Sequence, residues 1–176
     1  DIQVVSPVGG TLESIVRGSK RKIEKIIIKS SPKQESVVHT FGELEAMSVE
    51  EIKKVLLKSG AWPFLKQRPY GIVADPTCIP KALYVSTIDT APLQVDFEFL
   101  LKNKSEAFQT GIDVLAKLIG QPIKLGISPL EADNYKAFEN VDIYTVEGPH
   151  PAGNVSVHIQ KISPINPNEK VWVVQP

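Results

Sequence analysis

An α/β fold with a largely parallel sheet is predicted by this sequence on three observations. From about residue 82 to residue 174, apolar runs of strand length alternate with amphipathic runs of helix length. The helical runs carry capping residues at one or both ends. No repeat of solenoid length and no low-complexity tract offers another architecture. Residues 43–176 are therefore expected to form one α/β domain with helices on both faces, and residues 1–42 a separate β region with a linker.

The β region comes first. Ser6-Pro7-Val8-Gly9-Gly10 is a turn, residues 11–16 alternate as a short strand, Arg17-Gly18-Ser19 turns, and residues 22–29 form a second strand. Together they predict a β-hairpin, and an isolated hairpin is marginal in water. The hairpin resembles half of a barrel-sandwich domain of the biotinyl/lipoyl type. A carrier role would need an exposed lysine at a hairpin tip flanked by Met or Asp, and the basic run Ser19-Lys20-Arg21-Lys22 reads instead as a solvated turn. Residues 30–42 read as a linker.

Ser48-Val49-Glu50-Glu51 is a capping box. Val49, Ile52, Val55 and Leu56 follow the helical period, and Gly60 is placed to stop the helix in the left-handed conformation. Residues 62–93 hold the only cysteine and end in the apolar run at residues 82–86, a buried strand followed by the polar Thr87, Asp89 and Thr90. Residues 91–101 are expected to hold a short helix. Capping signals return at Ser105-Glu106, with Ala107, Phe108, Ile112, Leu115 and Ile119 on one face and Gly120 at the end. Residues 122–127 are the next strand, 132–138 a weaker helix, 141–146 a third strand and 148–154 a loop of turn residues. Residues 155–162 fit both periods; Asn154 as an N-cap favours helix. Residues 171–174 close the series as a strand.

Bulk properties narrow the function. Lys and Arg number 20 against 20 Asp and Glu, so no global field draws the chain to nucleic acid or anionic lipid. Cys78 has no disulfide partner in the chain, and the 3 histidines are scattered without metal-ligand spacing. This usage fits a reducing compartment. No apolar stretch approaches the roughly 20 residues that span a bilayer, which predicts a soluble piece. Asp1 opening directly into strand-like sequence reads as a fragment of a larger polypeptide.

Ligand candidates cluster in loops. Gly148 to Asn154 can offer backbone N–H groups at the start of a helix, with Gly153 allowing close approach, Asn154 at the cap and His150 as an added donor; the alternative is a structural turn with a cap. Asp89, with Thr87 and Thr90, follows a strand where ligands of α/β folds usually sit, or serves loop solvation and capping. Arg68 could bind an anion or cover apolar surface, while Trp62, Phe64 and Tyr70 are core or interface anchors. Cys78 has no base nearby in sequence and reads as an inert buried thiol. No catalytic triad, metal set, phosphate-binding P-loop or dinucleotide fingerprint is present, so no catalytic residue is assigned.

The strings WPxxxQRP at 62–69, ADP at 74–76, SxxDTAPL at 86–93 and GPHPAGN at 148–154, with SPVGGTLESIVRGSKRK at 6–22, EAFQTGIDVLAKLIG at 106–120 and ISPINPNEKVWVV at 162–174, span nearly the whole chain. In this order they resemble the A-subunit family of the bacterial sodium-translocating NADH:quinone reductases. The resemblance implies a peripheral subunit on the cytoplasmic face of the inner membrane, in a six-subunit complex that oxidises NADH, reduces ubiquinone and exports sodium. It also implies a Rossmann-like fold related to the flavin- and NADH-binding subunit of complex I and to the C subunit of the Rnf complex. In those relatives a glycine-rich loop cradles flavin phosphate. Here Ser59-Gly60-Ala61-Trp62-Pro63-Phe64 keeps one glycine, and an indole and a donorless proline stand where small residues are needed. A flavin fold without its flavin is expected, with ubiquinone as possible substrate and no cofactor bound by this segment. Two roles follow: a quinone-facing surface of Trp62, Phe64 and Tyr70 with Asp89 or His150 as polar handle, or a scaffold docking on the membrane subunit that carries covalent flavin.

Overall fold

The computed structural model describes residues 2–174. The N-terminal hairpin pairs β1 (Gly10–Arg17) with β2 (Ile23–Ser30) in antiparallel fashion. Leu12 stands opposite Ile28 and Ile15 opposite Ile26, and opposed residues share a face, so these four apolar side chains form one patch. None of them is buried. The turn lies slightly later than the sequence implies, at Ser19–Arg21, where Lys20 and Arg21 adopt φ of 53° and 60°. Residues 31–43 carry no regular structure, and the Gln34 side chain bonds back to Gly9 and Ser31.

Helix α1 (Val49–Lys58) starts at the capping box. The Ser48 hydroxyl accepts from the Glu51 N–H at 3.3 Å, and the Glu51 carboxylate accepts from the Ser48 N–H at 2.8 Å. Those bonds from Ser48 hold the Glu51 carboxyl below its ordinary range. Gly60 follows at φ 76°.

Between α1 and the first parallel strand lie two short strands that the hydrophobic pattern does not reveal, β3 (Lys66–Arg68) and β4 (Ile72–Val73). The rest of the order is β5 (Leu83–Ser86), α2 (Phe97–Leu101), α3 (Ser105–Ile119), β6 (Ile123–Ile127), α4 (Ala132–Tyr135), β7 (Val141–Thr145), α5 (Val155–Ile162) and β8 (Val171–Val174). The alternation is as expected, with trimmed ends. Helix α2 occupies only the later part of residues 91–101. Helix α3 has Lys104 at its N-cap without a side-chain cap bond, so Ser105 is its first residue rather than its cap. Helix α4 ends at Tyr135 after a tight turn over Pro129–Glu131.

The sheet runs β4-β3-β8-β5-β6-β7. Strands β8, β5, β6 and β7 are parallel, and β3 joins β8 antiparallel with β4 beyond it. The sheet is thus mixed and mostly parallel. Period-2 alternation splits the core into two layers. On one face Leu83, Val85, Leu125 and Trp172 pack with Ile52 of α1 and with Ile112, Ala116 and Ile119 of α3. On the other, Tyr84, Val171 and Val173 pack with Val155 and Ile159 of α5. Helices cover both faces, which places the loops after β5, β6 and β7 together at one end of the sheet. No helix among the described residues is long and apolar enough to cross a membrane.

Candidate functional site

The loops after β5, β6 and β7 enclose a cleft of about 970 Å³ lined by residues from Thr87 to Glu98, Ser128 to Glu131 and Val146 to Gly148. Short local bonds fix its floor. The Thr87 N–H and hydroxyl both donate to the Gly126 carbonyl, at 3.0 and 3.2 Å. The Ser86 hydroxyl donates to the Ile88 carbonyl and accepts from its N–H. Asp89 uses one carboxylate oxygen to accept from the Ala91 N–H at 2.8 Å, a turn that leaves the residue exposed on the cleft wall.

The loop at 148–154 is built inward rather than outward. The Gly153 N–H donates to the Thr90 hydroxyl at 2.9 Å, and a Cβ on Gly153 would lie 2.5 Å from the Thr90 nitrogen and 2.9 Å from Asp89 backbone atoms. Glycine there admits the chain's own β5 loop, not a ligand. His150 is exposed, with Nδ1 3.3 Å from the Thr90 hydroxyl. Asn154 caps α5 by accepting from the Ser156 N–H at 2.9 Å, which decides the helix over the strand for residues 155–162. The structural-turn reading accounts for these bonds in full.

Behind this loop lies a buried polar chain for which sequence reasoning supplied no role. His158 is enclosed, with Nε2 2.7 Å from the Ala152 carbonyl and Nδ1 3.1 Å from the Tyr144 hydroxyl. The carbonyl can only accept, so Nε2 carries the proton and Nδ1 accepts from Tyr144. Burial pushes His158 below its ordinary value, against the opposing pull of the Ala152 bond, and pushes Tyr144 up. Tyr84 packs edge-on to Tyr144, and burial likewise raises its hydroxyl. The i, i+4 step from Asn154 to His158 was the available signal: a cap and a histidine on one turn of helix.

The residues at 62–70 are dispersed. Trp62 is 0% exposed; its indole N–H donates to the Ala74 carbonyl at 2.8 Å and its ring meets Trp172 edge-on at 5.5 Å. It is a core anchor and presents no surface. Gln67 is buried beside it and accepts from the Trp172 indole N–H and the Asp75 N–H. Arg68 is half-buried where β3 pairs with Val171, ahead of a cis bond to Pro69. Phe64 and Tyr70 stand out at 70% and 81% exposure along the sheet edge, with Ile72 and Ile79 also exposed. The structure thus brings Asp89, Gly153 and His150 around Thr90, and sets Phe64 and Tyr70 apart from them. Cys78 is a free thiol, half-buried rather than enclosed. No group of His, Cys, Asp and Glu among the described residues is arranged to hold a metal ion.

Comparison with known proteins gives one family. The family model described as NqrA second alpha/beta domain matches residues 47–176. Among curated proteins, the A subunit of the Na(+)-translocating NADH-quinone reductase of Saccharophagus degradans is 32% identical over 175 residues, covering 98% of this chain and 39% of the relative. The corresponding proteins of Alcanivorax borkumensis and Pseudomonas aeruginosa are 31% and 30% identical, covering 98% and 97% of this chain and 39% and 38% of the relatives. The chain therefore spans about two-fifths of the length of the curated relatives it matches. With the family's second α/β domain accounting for everything from residue 47 onward, the chain belongs to the NqrA family, the A subunits of the Na(+)-translocating NADH-quinone reductases.

Proposed function

We propose that this chain works as part of a longer NqrA protein in a complex that oxidises NADH, reduces ubiquinone and exports sodium. It would sit peripherally on the cytoplasmic face of the inner membrane, against the other subunits and the flavin-carrying membrane subunit in particular. Within it, the sheet edge carrying Phe64 and Tyr70 contributes to the quinone side. The observation that carries this reading is the exposure of those two aromatic side chains, Phe64 just before β3 and Tyr70 in the turn after it, with Phe64 two residues from the buried Trp62.

We read the α/β body at 43–176 as Rossmann-like and related to the flavin subunits, and the hairpin region at 1–42 as part of a barrel-sandwich unit. The strand order reverses beside β5, with β6 and β7 to one side and β8 to the other, which supports that reading. The residues do not fit a flavin phosphate. A Cβ on Gly60 would meet the Val5 side chain at 2.6 Å, so the open side of the loop's one glycine is already filled. Trp62 is enclosed and Pro63 has no N–H to offer.

A quinone titration of the full-length protein tests this. Saturable binding that weakens roughly tenfold in Phe64→Ala/Tyr70→Ala, with unchanged melting, supports the quinone-side role. Absence of binding by a folded protein supports the second reading, a scaffold docking on the membrane subunits. A bound yellow chromophore after purification would overturn the absence of flavin.

A further inference from the structure

The cleft after β5, β6 and β7 has a composition that neither role uses. It is lined by Asp89, Asp96, Glu98, Glu131 and Glu147, and by no lysine, arginine or histidine. In a chain whose charges balance overall, this is a local concentration of one sign. Glu131 reports it from within: burial first, then the neighbouring Glu98 and Asp96, push its carboxyl above the ordinary value. Around the opening stand large apolar side chains with nothing against them. Leu93 is 102% and Leu130 97% exposed, with the exposed Val95 two residues from Leu93 on the β5 loop. Leu93 also has φ of 61°, a conformation disfavoured for a branched side chain, so the loop presents this leucine outward against its backbone preference.

We propose that this cleft docks a basic segment of a partner protein, with Lys or Arg side chains entering among the carboxylates and apolar side chains seated on Leu93 and Leu130. Charge complementarity selects this occupant over others. Flavin nucleotides, nicotinamide dinucleotides and other phosphate-bearing ligands are repelled by the same carboxylates, as are anionic headgroups of a membrane surface. A lone metal ion lacks a ligand set among the described residues. A small organic cation would leave the apolar rim uncovered, whereas a peptide of alternating basic and apolar character meets both features. The proposal draws on membership in the complex only for where the partner is sought; the surface stands without the quinone-side role, and the quinone titration bears on that role alone.

The test is photo-cross-linking. Benzoylphenylalanine is placed at Leu130 of the full-length protein in the assembled complex, and the cross-linked peptide is sequenced. The expected product is a single partner peptide with at least two Lys or Arg residues interleaved with apolar ones. Its yield should fall about tenfold in Glu98→Lys/Glu131→Lys and recover when the basic residues of that peptide are exchanged for Glu. A melting curve checks that the double reversal is folded. If it is not, the yield from the unreversed protein over a salt series decides, since this contact weakens as salt rises. The proposal is overturned by any of four results: no peptide product, a product without basic residues, a product from residues 17–25 of a second copy, or a yield indifferent to charge reversal and salt.

Discussion

The hairpin at the N-terminus and the sheet of the α/β body are both β-structure, yet they stand in opposite relations to water. In the hairpin, Leu12, Ile15, Ile26 and Ile28 line up on one face and none is buried. In the body, Leu83, Ile123, Leu125, Ile127 and Trp172 are fully enclosed between helices. Both pair their backbones in ladders, antiparallel in the hairpin and mostly parallel in the body, but only the body buries its side chains. The difference teaches that this molecule's stability resides in the two layers around β5, β6 and β8, while the hairpin keeps an apolar face free.

The sharpest test of that contrast pairs one substitution from each region. Trp62→Ala should cost about 3–5 kcal/mol in urea unfolding, through the cavity and the lost bond to Ala74. Leu12→Ala in the hairpin should change the same transition by less than about 0.5 kcal/mol. Comparable losses at both sites would break the comparison.

Next in size is Gly153→Ala. Its Cβ meets backbone rather than a flexible side chain, so a loss of about 1–3 kcal/mol is expected, with the 148–154 loop parting from Thr90. Amide exchange at position 153, faster in the variant than at Gly153 of the parent, is the direct measurement.

Substituting His158 with Leu strands the Tyr144 hydroxyl and the Ala152 carbonyl, for about 1–3 kcal/mol. It should also remove a pH dependence. Because burial depresses the folded-state value of His158, the unfolded chain binds the proton first as pH falls below the ordinary value of 6.5. Stability is thus lost on acidification through that point, and the loss should flatten in the variant.

The smallest effect is expected at Glu131→Gln. Its carboxyl titrates higher when folded, so stability declines as pH rises from the ordinary value of 4.5 toward the raised one. Removing the charge should return a gain within about 0.5 kcal/mol above that window and nothing below it. A flat difference across pH would show that neither burial nor the neighbouring Glu98 and Asp96 raises it.

The helix at residues 49–58 and the order of helices and strands from residue 83 onward were legible because caps and apolar periods agree there. Ser48 with Glu51, and Asn154 before Val155, are local chemistry that survives into the fold. Strands β3 and β4 were not legible: three and two residues are too short for a period, and Lys66, Gln67 and Arg68 look like loop. Strand β3 pairs with β8, about a hundred residues away in the chain, and β4 is added through β3. Among the site residues, Trp62 was named both as an anchor and as part of a quinone-facing surface; its full burial and its bond to Ala74 leave only the first. The sequence placed a ligand's approach at Gly153 because a glycine's open side is visible in sequence, whereas the Asp89–Thr90 backbone that fills it is not. The carboxylate-lined cleft escaped for a related reason: its acidic residues come from three loops and converge only when β5, β6 and β7 align.

The position of β8 has a consequence for how the molecule comes into being. Strand Val171–Val174 is the seam of the sheet, hydrogen-bonded to β3 on one side and β5 on the other. Until those residues leave the ribosome, the antiparallel edge and the parallel half are two separate pieces, and Trp172 is missing from beside Trp62. Synthesis therefore delivers the keystone after everything it joins, and the facing edges of β3 and β5 stay unpaired until then.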